Sequence, residues 1–167
     1  MKKYCDTNIL TGSINKQNLS KKLGNTGFNR FKNEIKGFRS SGEEKLKKID
    51  QCVISRGVLL RDIGRHLPSL GAVLTSSNIK NIEIRNIKKG FREGKKYYDK
   101  ACAKKDVDKA FYKKFCQDKK LKTDLNLSEK NDVSHFGSAI KIGAEKFITA
   151  NGRDFKELEK VSNIMIE

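Results

Sequence analysis

The chain has 167 residues, with 37 Lys or Arg against 20 Asp or Glu, which gives a formal net charge of +17. A hydrophobic fraction of 36% is enough for one core and argues against general disorder. No apolar run approaches the roughly 20 residues of a membrane-spanning helix, and no apolar segment of a signal peptide follows Met1-Lys2-Lys3. We therefore expect one cytoplasmic domain over residues 1–167 that has no contact with a membrane.

The cysteines and the charge point to the environment and to a partner. The cysteines at positions 5, 52, 102 and 116 form no close-spaced pair of the kind that zinc sites use. We expect four reduced, mostly buried thiols. The basic charge suggests a polyanion such as nucleic acid, because Lys and Arg that neutralise phosphates gain affinity by releasing counterions. A generally Lys-rich composition would give the same charge without any ligand.

The first half of the chain alternates apolar and polar segments. The predicted elements are, in chain order, a strand at 2–6, a Lys/Asn-rich insert at 11–50 with helical patches at 19–23 and 28–38, a strand at 51–55 and a helix at 56–66. Segments 71–74 and 79–87 are ambiguous, although Ile82 and Ile84 alternate as in a strand.

Residues 88–122 are the most basic stretch, with fourteen Lys or Arg and five Asp or Glu. Aromatic residues at helical spacing predict a pair of basic helices that bury an aromatic stripe. The candidate nucleic-acid contacts on these helices are Lys88, Lys89, Arg92, Lys95 and Lys96. An ordinary solvated helix face over core aromatics explains the same pattern equally well.

The last forty residues have a sharper pattern. Ser128 is a suitable N-cap for a helix with apolar residues at helical spacing, and Gly143 is suited to end that helix. A buried strand is predicted at 145–149, followed by a turn and a closing helix at 155–166. Alternating strands and helices predict an α/β fold with a mostly parallel sheet.

Four aspartates follow predicted strands or lie on the adjoining helices. Asp6 follows the first strand, Asp62 lies on the helix after the second, Asp132 begins the helix before the last strand and Asp154 follows that strand. Ligands of parallel sheets bind at the carboxyl ends of the strands, so we expect these side chains to converge. A cluster of carboxylates requires a cation, and oxygen ligands favour Mg²⁺ or Mn²⁺. Thr7, Asn8 and Thr149 are placed to orient Asp6 by hydrogen bonds.

Each of these residues also has a purely structural interpretation. Asp6 is a possible turn or helix cap, and Asp132 suits the dipole at a helix N-terminus. Asp62 lies between Arg61 and Arg65 as in a surface ion pair, and Asp154 lies in a turn. Glu43 and Glu44 are rivals for the third carboxylate. His135 is interpreted as a packed or capping histidine rather than a general base.

Four segments, in order, resemble the PIN-domain nucleases. These are residues 4–10 (YCDTNIL), 53–63 (VISRGVLLRDI), 132–149 (DVSHFGSAIKIGAEKFIT) and 151–155 (NGRDF), and together they extend over essentially the whole chain. The segments at the two ends are the most specific. The family usually has Glu where this chain has Asp62, and it often has an acid at the position of Asn151, where Asp154 would substitute.

The resemblance implies a three-layer α/β/α sandwich with Asp6, Asp62 and Asp132 as metal-binding acids. It further implies a metal-dependent ribonuclease, often the toxin of a VapC-like toxin–antitoxin pair, so RNA and an antitoxin protein are expected partners and a homodimer is a further one. Nothing in these residues reads a 2′-hydroxyl, so they do not distinguish RNA from DNA. The alternative is a non-catalytic, basic nucleic-acid-binding protein with a degenerate site.

Overall fold

The computed structural model describes residues 1–34, 49–63 and 70–167. The predicted helical residues 35–38 and 64–66 and the rival acids Glu43 and Glu44 lie outside these ranges. The helices are α1 (Thr7–Gly12), α2 (Lys16–Glu34), α3 (Arg56–Ile63), α4 (Leu70–Ser76), α5 (Gly90–Cys102), α6 (Lys109–Phe115), α7 (Leu127–Lys141) and α8 (Lys156–Glu159). The strands are β1 (Lys3–Cys5), β2 (Gln51–Ser55), β3 (Asn81–Arg85), β4 (Cys116–Gln117), β5 (Lys120–Leu121), β6 (Lys146–Ile148) and β7 (Met165–Ile166).

Five strands form a parallel sheet in the order β3-β2-β1-β6-β7, with β1 at its centre. Tyr4 of β1 is in register with Val53 of β2 on one side and with Phe147 of β6 on the other. The prediction of an α/β fold with a mostly parallel sheet is therefore confirmed. A separate two-stranded hairpin, β4-β5, was not predicted, and its turn residues Asp118 and Lys119 both have positive φ.

Side chains that alternate along the strands divide the core between the two faces of the sheet. Tyr4 and Phe147 belong to a cluster with residues of α5, α6, α7 and α8. Their chain neighbours Cys5 and Ile148 belong to a second cluster with residues of α1, α2, α3 and α4. Helices therefore flank the sheet on both faces, because a strand with two apolar faces must be covered on both. Among the described helices, none is long and apolar enough to cross a membrane.

The end of the chain corrects one prediction. The closing helix expected over residues 155–166 is wrong, since α8 ends at Glu159 and the chain returns as strand β7. Ile164 and Ile166 are buried while Met165 is exposed, which is the period of a strand. The edge of β6 supplies the partners: Met165 N–H donates to the Glu145 carbonyl and Glu167 N–H to that of Phe147.

The start of α7 corrects another prediction. The predicted cap, Ser128, lies inside the helix, and Asn126 is the N-cap instead. The Asn126 side chain accepts a hydrogen bond of 2.8 Å from the backbone N–H of Glu129. Asn and Ser cap helices about equally well, so the sequence offered two suitable residues two positions apart. Gly143 ends the helix at φ 69°, as predicted.

The expectation of four free thiols is wrong. Cys102 at the end of α5 and Cys116 at the start of β4 form a disulfide with their Cα atoms 5.5 Å apart, while Cys5 and Cys52 are free and buried. Spacing along the chain did not indicate this pair, because α5 and β4 meet only in the folded domain. Disulfides are more usual outside the reducing cytosol, so the cytoplasmic location stays a prediction.

We expect reduction of this disulfide to destabilise the fold. The bond closes a loop with a sequence separation of 14 residues, and a loop of that size is worth about 3 kcal/mol in the chain-entropy account. Urea unfolding with and without dithiothreitol should differ by about this amount. The double variant Cys102→Ala/Cys116→Ala should be insensitive to the reductant. Titration of four thiols, rather than two, in the unreduced denatured chain would contradict the disulfide.

Candidate metal centre

Asp6 lies at the carboxyl end of the central strand. It follows β1 and is the N-cap of α1, where its Oδ1 accepts a hydrogen bond of 2.7 Å from the N–H of Thr7. Its Oδ2 accepts from Thr149 Oγ1 at 2.9 Å and from Asn8 Nδ2 at 3.2 Å. Thr149 directly follows β6, which neighbours β1. Asp6 therefore does cap a helix, and the side chains of Asn8 and Thr149 orient it as expected, whereas Thr7 bonds it through its backbone N–H.

Asp62 enters the same site from α3. Its Oδ2 accepts a hydrogen bond of 2.6 Å from Thr7 Oγ1 and lies 2.8 Å from His135 Nε2, while Oδ1 accepts from Asn131 Nδ2 at 2.7 Å. Asn131 and His135 both belong to α7. Among the described residues, Asp62 has no Arg partner, because Arg61 instead donates from Nε to Asn131 Oδ1. Arg65, the other arginine considered as its partner, lies outside the described residues.

His135 lies at the junction of the two carboxylates. It is fully buried, and its Nε2 is 3.5 Å from Asp6 Oδ1 as well as 2.8 Å from Asp62. Ligand atoms of Asp6, Asp62 and His135 all lie within 4.8 Å of one another. The other ring nitrogen, Nδ1, is 2.6 Å from the hydroxyl of Tyr4, which itself accepts the N–H of Ser55. The ring is thus packed in the interior, as the sequence indicated, and it lies against the carboxylates of Asp6 and Asp62.

Charge is redistributed within this cluster. Burial opposes the charged form of His135, but the hydrogen bond to Asp62 and the charges of both aspartates outweigh it and raise the pKa of His135. Burial also acts on Asp62, but its hydrogen bonds from His135, Thr7 and Asn131 and the charge of His135 lower its pKa. Both shifts favour the charged pair of His135 and Asp62. Burial and the charge of Asp62 outweigh His135 at Asp6, so the pKa of Asp6 is raised.

Asp132 lies one helical turn before His135, on the same helix. Burial and then the charges of Asp6 and Asp154 hold its pKa well above the usual range, against the opposing charge of Lys114. Within the described part of the chain, no side chain or N–H donates a hydrogen bond to its carboxylate. The hydroxyl of Tyr98 is buried and has no hydrogen-bond partner in the described ranges, and burial and the charge of Asp132 raise its pKa. Asp132 is thus a half-buried carboxylate close to the other acids, and the charge of Lys114 offsets theirs only in part.

Asp154 follows β6 in a short 3-10 turn and is almost fully buried. Its Oδ2 accepts hydrogen bonds from Lys114 of α6 and from Asn151, the residue that stands at the position of an expected acid. Lys114 was not predicted as a site residue. Its ammonium group already neutralises Asp154 at the edge of the site.

The predicted nucleic-acid contacts lie on the exposed start of α5. Lys95 pairs with Asp99 and Lys96 with Glu93, so part of their charge is used within the helix. Lys88, Lys89 and Arg92 are exposed and, among the described residues, have no acidic partner. These three side chains are therefore the ones free to meet an external anion.

The donor set fits a hard divalent cation. Carboxylate oxygens are the ligands that Mg²⁺ and Mn²⁺ prefer, and an unpartnered carboxylate beside two other acids is the arrangement that a cation stabilises. Asp6 and Asp132 have raised pKa values, which a bound cation would lower again. His135 and Lys114 partly fill that role, since each holds a positive charge against one of the aspartates.

Sequence reasoning missed three members of this site: His135 as a partner of Asp62, Lys114 and Asn131. A signal existed for two of them, because Asn131 and His135 flank Asp132 by one and three residues on one helix. For Lys114 no local signal exists, because residues 88–122 alone hold fourteen Lys or Arg.

Comparison with protein-family models, with curated proteins and with solved structures finds no match for this chain.

The His135–Asp62 pair predicts a dependence of stability on pH in the metal-free protein. Because folding raises the pKa of His135, its protonation stabilises the fold fully below about pH 6.5, the pKa in the unfolded chain. This stabilisation is lost as the pH rises through the pKa of the folded protein. Because folding lowers the pKa of Asp62, its ionised carboxylate stabilises the fold above about pH 3.9. This stabilisation is lost as the pH falls through the pKa of the folded protein. We expect maximal stability between these limits, and a decline on the alkaline side of at most about 1.4 kcal/mol per pH unit for each proton released. Urea unfolding in EDTA measures it.

His135→Gln is the matched control for this pH profile. Its amide can still donate to Asp62, but it carries no titratable charge, so the decline on the alkaline side should become shallower. The raised pKa values of Asp6 and Asp132 add a decline in stability that begins above about pH 3.9 and ends above their folded pKa values, and this decline remains in the variant. An unchanged alkaline slope in this variant would show that His135 is neutral in the fold.

Proposed function

We propose that this chain is a metal-dependent nuclease that hydrolyses phosphodiester bonds in RNA, with Mg²⁺ or Mn²⁺ held by Asp6, Asp132, Asp62 and Asp154. The observation that supports it is the approach of these four aspartates from four separate elements, in a protein whose net charge is +17. Acids that repel one another inside a basic protein suit a site that binds cations, while the basic surface holds a polyanion.

The strand order with β1 at the centre of a parallel sheet, together with the four resembling segments, supports a PIN-like fold. We extend the proposal to a cytoplasmic ribonuclease that acts as the toxin of a toxin–antitoxin pair. An antitoxin protein would then cover the acidic site, and growth arrest on expression, relieved by that protein, is the expected behaviour. Harmless overexpression would count against the toxin role.

Each residue of the site has a role in this proposal. Asp6 and Asp132 bind the cation most directly, because their raised pKa values indicate charge that the protein compensates only in part. Thr149, Asn8 and the N–H of Thr7 fix the orientation of Asp6 by hydrogen bonds. The bound cation supplies a water of lowered pKa and neutralises charge on the phosphate.

A cleavage assay tests the proposal. Mixed-sequence RNA and single-stranded DNA of the same sequence should be incubated with the protein in Mg²⁺, in Mn²⁺ and in EDTA. We expect cleavage of RNA that requires a divalent ion and is lost in EDTA. Cleavage that persists in EDTA, or no cleavage of either polymer with any ion, contradicts the proposal. Cleavage of DNA alone would mean that the substrate is DNA rather than RNA.

The second candidate function is non-catalytic binding of nucleic acid. Two ion pairs favour it, since His135–Asp62 and Lys114–Asp154 neutralise two of the four aspartates without a metal. A pure binder would keep its RNA affinity in EDTA and show no Mn²⁺ binding in a titration. The nuclease would bind Mn²⁺ at the carboxylates, so that one titration separates the two functions.

A further inference from the structure

A small cleft lies between α3, α7 and the start of α5. Its volume is about 180 Å³, and its wall includes Ser55, Arg61, Lys89, Gly90, Phe91 and Ser138. This volume is below the roughly 300 Å³ at which pockets for drug-sized ligands begin, so the cleft suits a small chemical group. It adjoins the metal centre, because Arg61 precedes Asp62 and the N–H of Ser55 bonds the Tyr4 hydroxyl that contacts His135.

The hydroxyl of Ser55 is a polar group without a partner. Ser55 is 1% exposed, and its Oγ makes no hydrogen bond to any described residue. A buried hydroxyl left unpaired is unfavourable, and buried polar groups are nearly always satisfied. Since Ser55 belongs to the wall of the cleft, a ligand in the cleft is the natural hydrogen-bond partner for its hydroxyl.

The start of α5 presents donors to the same cleft. Lys89 is its N-cap in a left-handed conformation (φ 60°), and no side chain caps the first turn. The first N–H groups of a helix lack partners inside the helix, and the dipole of this 13-residue helix favours an anion there. Glycine at position 90 allows the approach to α7, because a Cβ there would lie 2.6 Å from Ser138 Oγ.

The charges of the cleft select an anion. Arg61 and Lys89 contribute two positive charges, and among the described residues no acidic side chain belongs to its wall. Glu93 lies in the first turn of α5 but pairs with Lys96 instead. Donors from a backbone turn, a hydroxyl and two cations are the groups that bind phosphate oxygens.

We propose that this cleft binds a phosphate group of the nucleic-acid backbone beside the metal centre. This rests on the proposed nuclease function for its biological ligand, while phosphate binding itself does not require cleavage. A phosphate held here would fix the register of the strand relative to Asp6 and Asp132, so the cleft is a positioning site for the substrate.

Inorganic phosphate is the first probe, used in EDTA at constant ionic strength and followed by amide chemical shifts. We expect saturable shifts at Ser55, Gly90 and Phe91, and affinity reduced about 10-fold by Lys89→Asn and several-fold by Ser55→Ala. Asn tolerates the left-handed conformation of Lys89. Lys119→Asn is the matched control, since Lys119 is an exposed lysine with φ 59° far along the chain from the cleft. The affinity of this variant for phosphate should be unchanged.

Two results would contradict phosphate binding in the cleft. One is a set of shifts spread over the basic surface that Ser55→Ala leaves intact, and the other is an equal loss of affinity in Lys89→Asn and Lys119→Asn. Ser55→Ala should keep the fold, because it removes an atom that has no partner among the described residues. Its thermal midpoint provides the check on folding.

A second arm uses short RNA in EDTA, with either a 5′-phosphate or a 5′-hydroxyl, and measures affinity by fluorescence anisotropy. Preference for the 5′-phosphate that disappears in Lys89→Asn would assign the cleft to a terminal phosphate, and equal, Lys89-dependent binding would assign it to an internal phosphodiester. Binding of both RNAs that ignores Lys89 and Ser55 contradicts the cleft. Phosphate binding without any cleavage would refute the nuclease alone, and cleavage without phosphate binding would refute the cleft alone.

Discussion

Asp132→Asn is expected to abolish metal-dependent cleavage while stabilising the metal-free protein. Asp132 lacks a hydrogen-bond donor among the described residues, and burial and the neighbouring acids raise its pKa, so its charge destabilises the empty site. Cleavage should fall by more than about 100-fold, because substitution of a residue that only hydrogen-bonds to a metal ligand commonly lowers metal affinity or activity 10- to 100-fold. The thermal midpoint in EDTA should rise by about 2–4 °C, the shift that roughly 1 kcal/mol gives in a domain of this size.

The same variant should lose its stabilisation by metal. In the parent protein, Mn²⁺ should raise the thermal midpoint in proportion to the logarithm of its concentration above Kd, because it binds the folded state alone. Asp132→Asn should show little of this rise. Asp124→Asn is the matched control, since Asp124 is exposed and lies outside the site. A fully active Asp132→Asn enzyme would remove Asp132 from the centre.

Asp6→Asn is the companion variant, and it separates two roles of one residue. Asn is as good an N-cap as Asp, so the cap of α1 should survive the change. Cleavage should be lost to the same extent as in Asp132→Asn, and stability should be nearly unchanged or raised. Severe destabilisation would instead show that the hydrogen bonds from Thr149 and Asn8 require a carboxylate.

Gly137→Ala is expected to have the largest effect on stability, about 3–5 kcal/mol or failure to fold. A Cβ at position 137 of α7 would lie 1.7 Å from the Gly90 carbonyl oxygen and 2.4 Å from the Gly94 nitrogen, both in α5. The clash is with backbone, so no side-chain rotation relieves it and the two helices must separate. Steric overlap of this kind in a well-packed interior ranks among the most destabilising mechanisms. Urea unfolding, or the soluble fraction if the protein aggregates, measures the effect.

The control for this variant is another helical glycine. A Cβ at Gly57 of α3 meets nothing within 4 Å, so Gly57→Ala should be neutral or stabilise by up to about 1 kcal/mol. Gly94→Ala should resemble Gly137→Ala, because its Cβ would lie 2.0 Å from the Val133 carbonyl oxygen. Comparable stability of Gly137→Ala and Gly57→Ala would contradict the close crossing of α5 and α7. That crossing matters for function because α7 carries Asp132 and His135.

Local pattern predicted most of the secondary structure that positions the site. Strands at the positions of β1, β2 and β6 and the helix carrying Asp132 followed from apolar spacing, and the carboxyl-edge argument pointed to Asp6 and Asp132 before any coordinates. The misses occurred where a partner distant in sequence determines the conformation. Met165–Ile166 is a strand because β6 offers an unpaired edge. The hairpin β4-β5 forms against α5, whose Asp99 accepts the N–H of Leu121.

What the sequence by itself determined is the class of fold and the residue types of the site: a basic α/β chain whose aspartates lie where strands end or helices begin. Only the tertiary structure decided the pairing of those groups. It placed His135 against Asp62, Lys114 against Asp154 and Cys102 against Cys116, and it left the Asp132 carboxylate without a donor among the described residues. The physical reason is that periodicity reports which face of an element is buried, whereas charge pairing depends on side-chain atoms brought within a few ångströms by elements far apart along the chain.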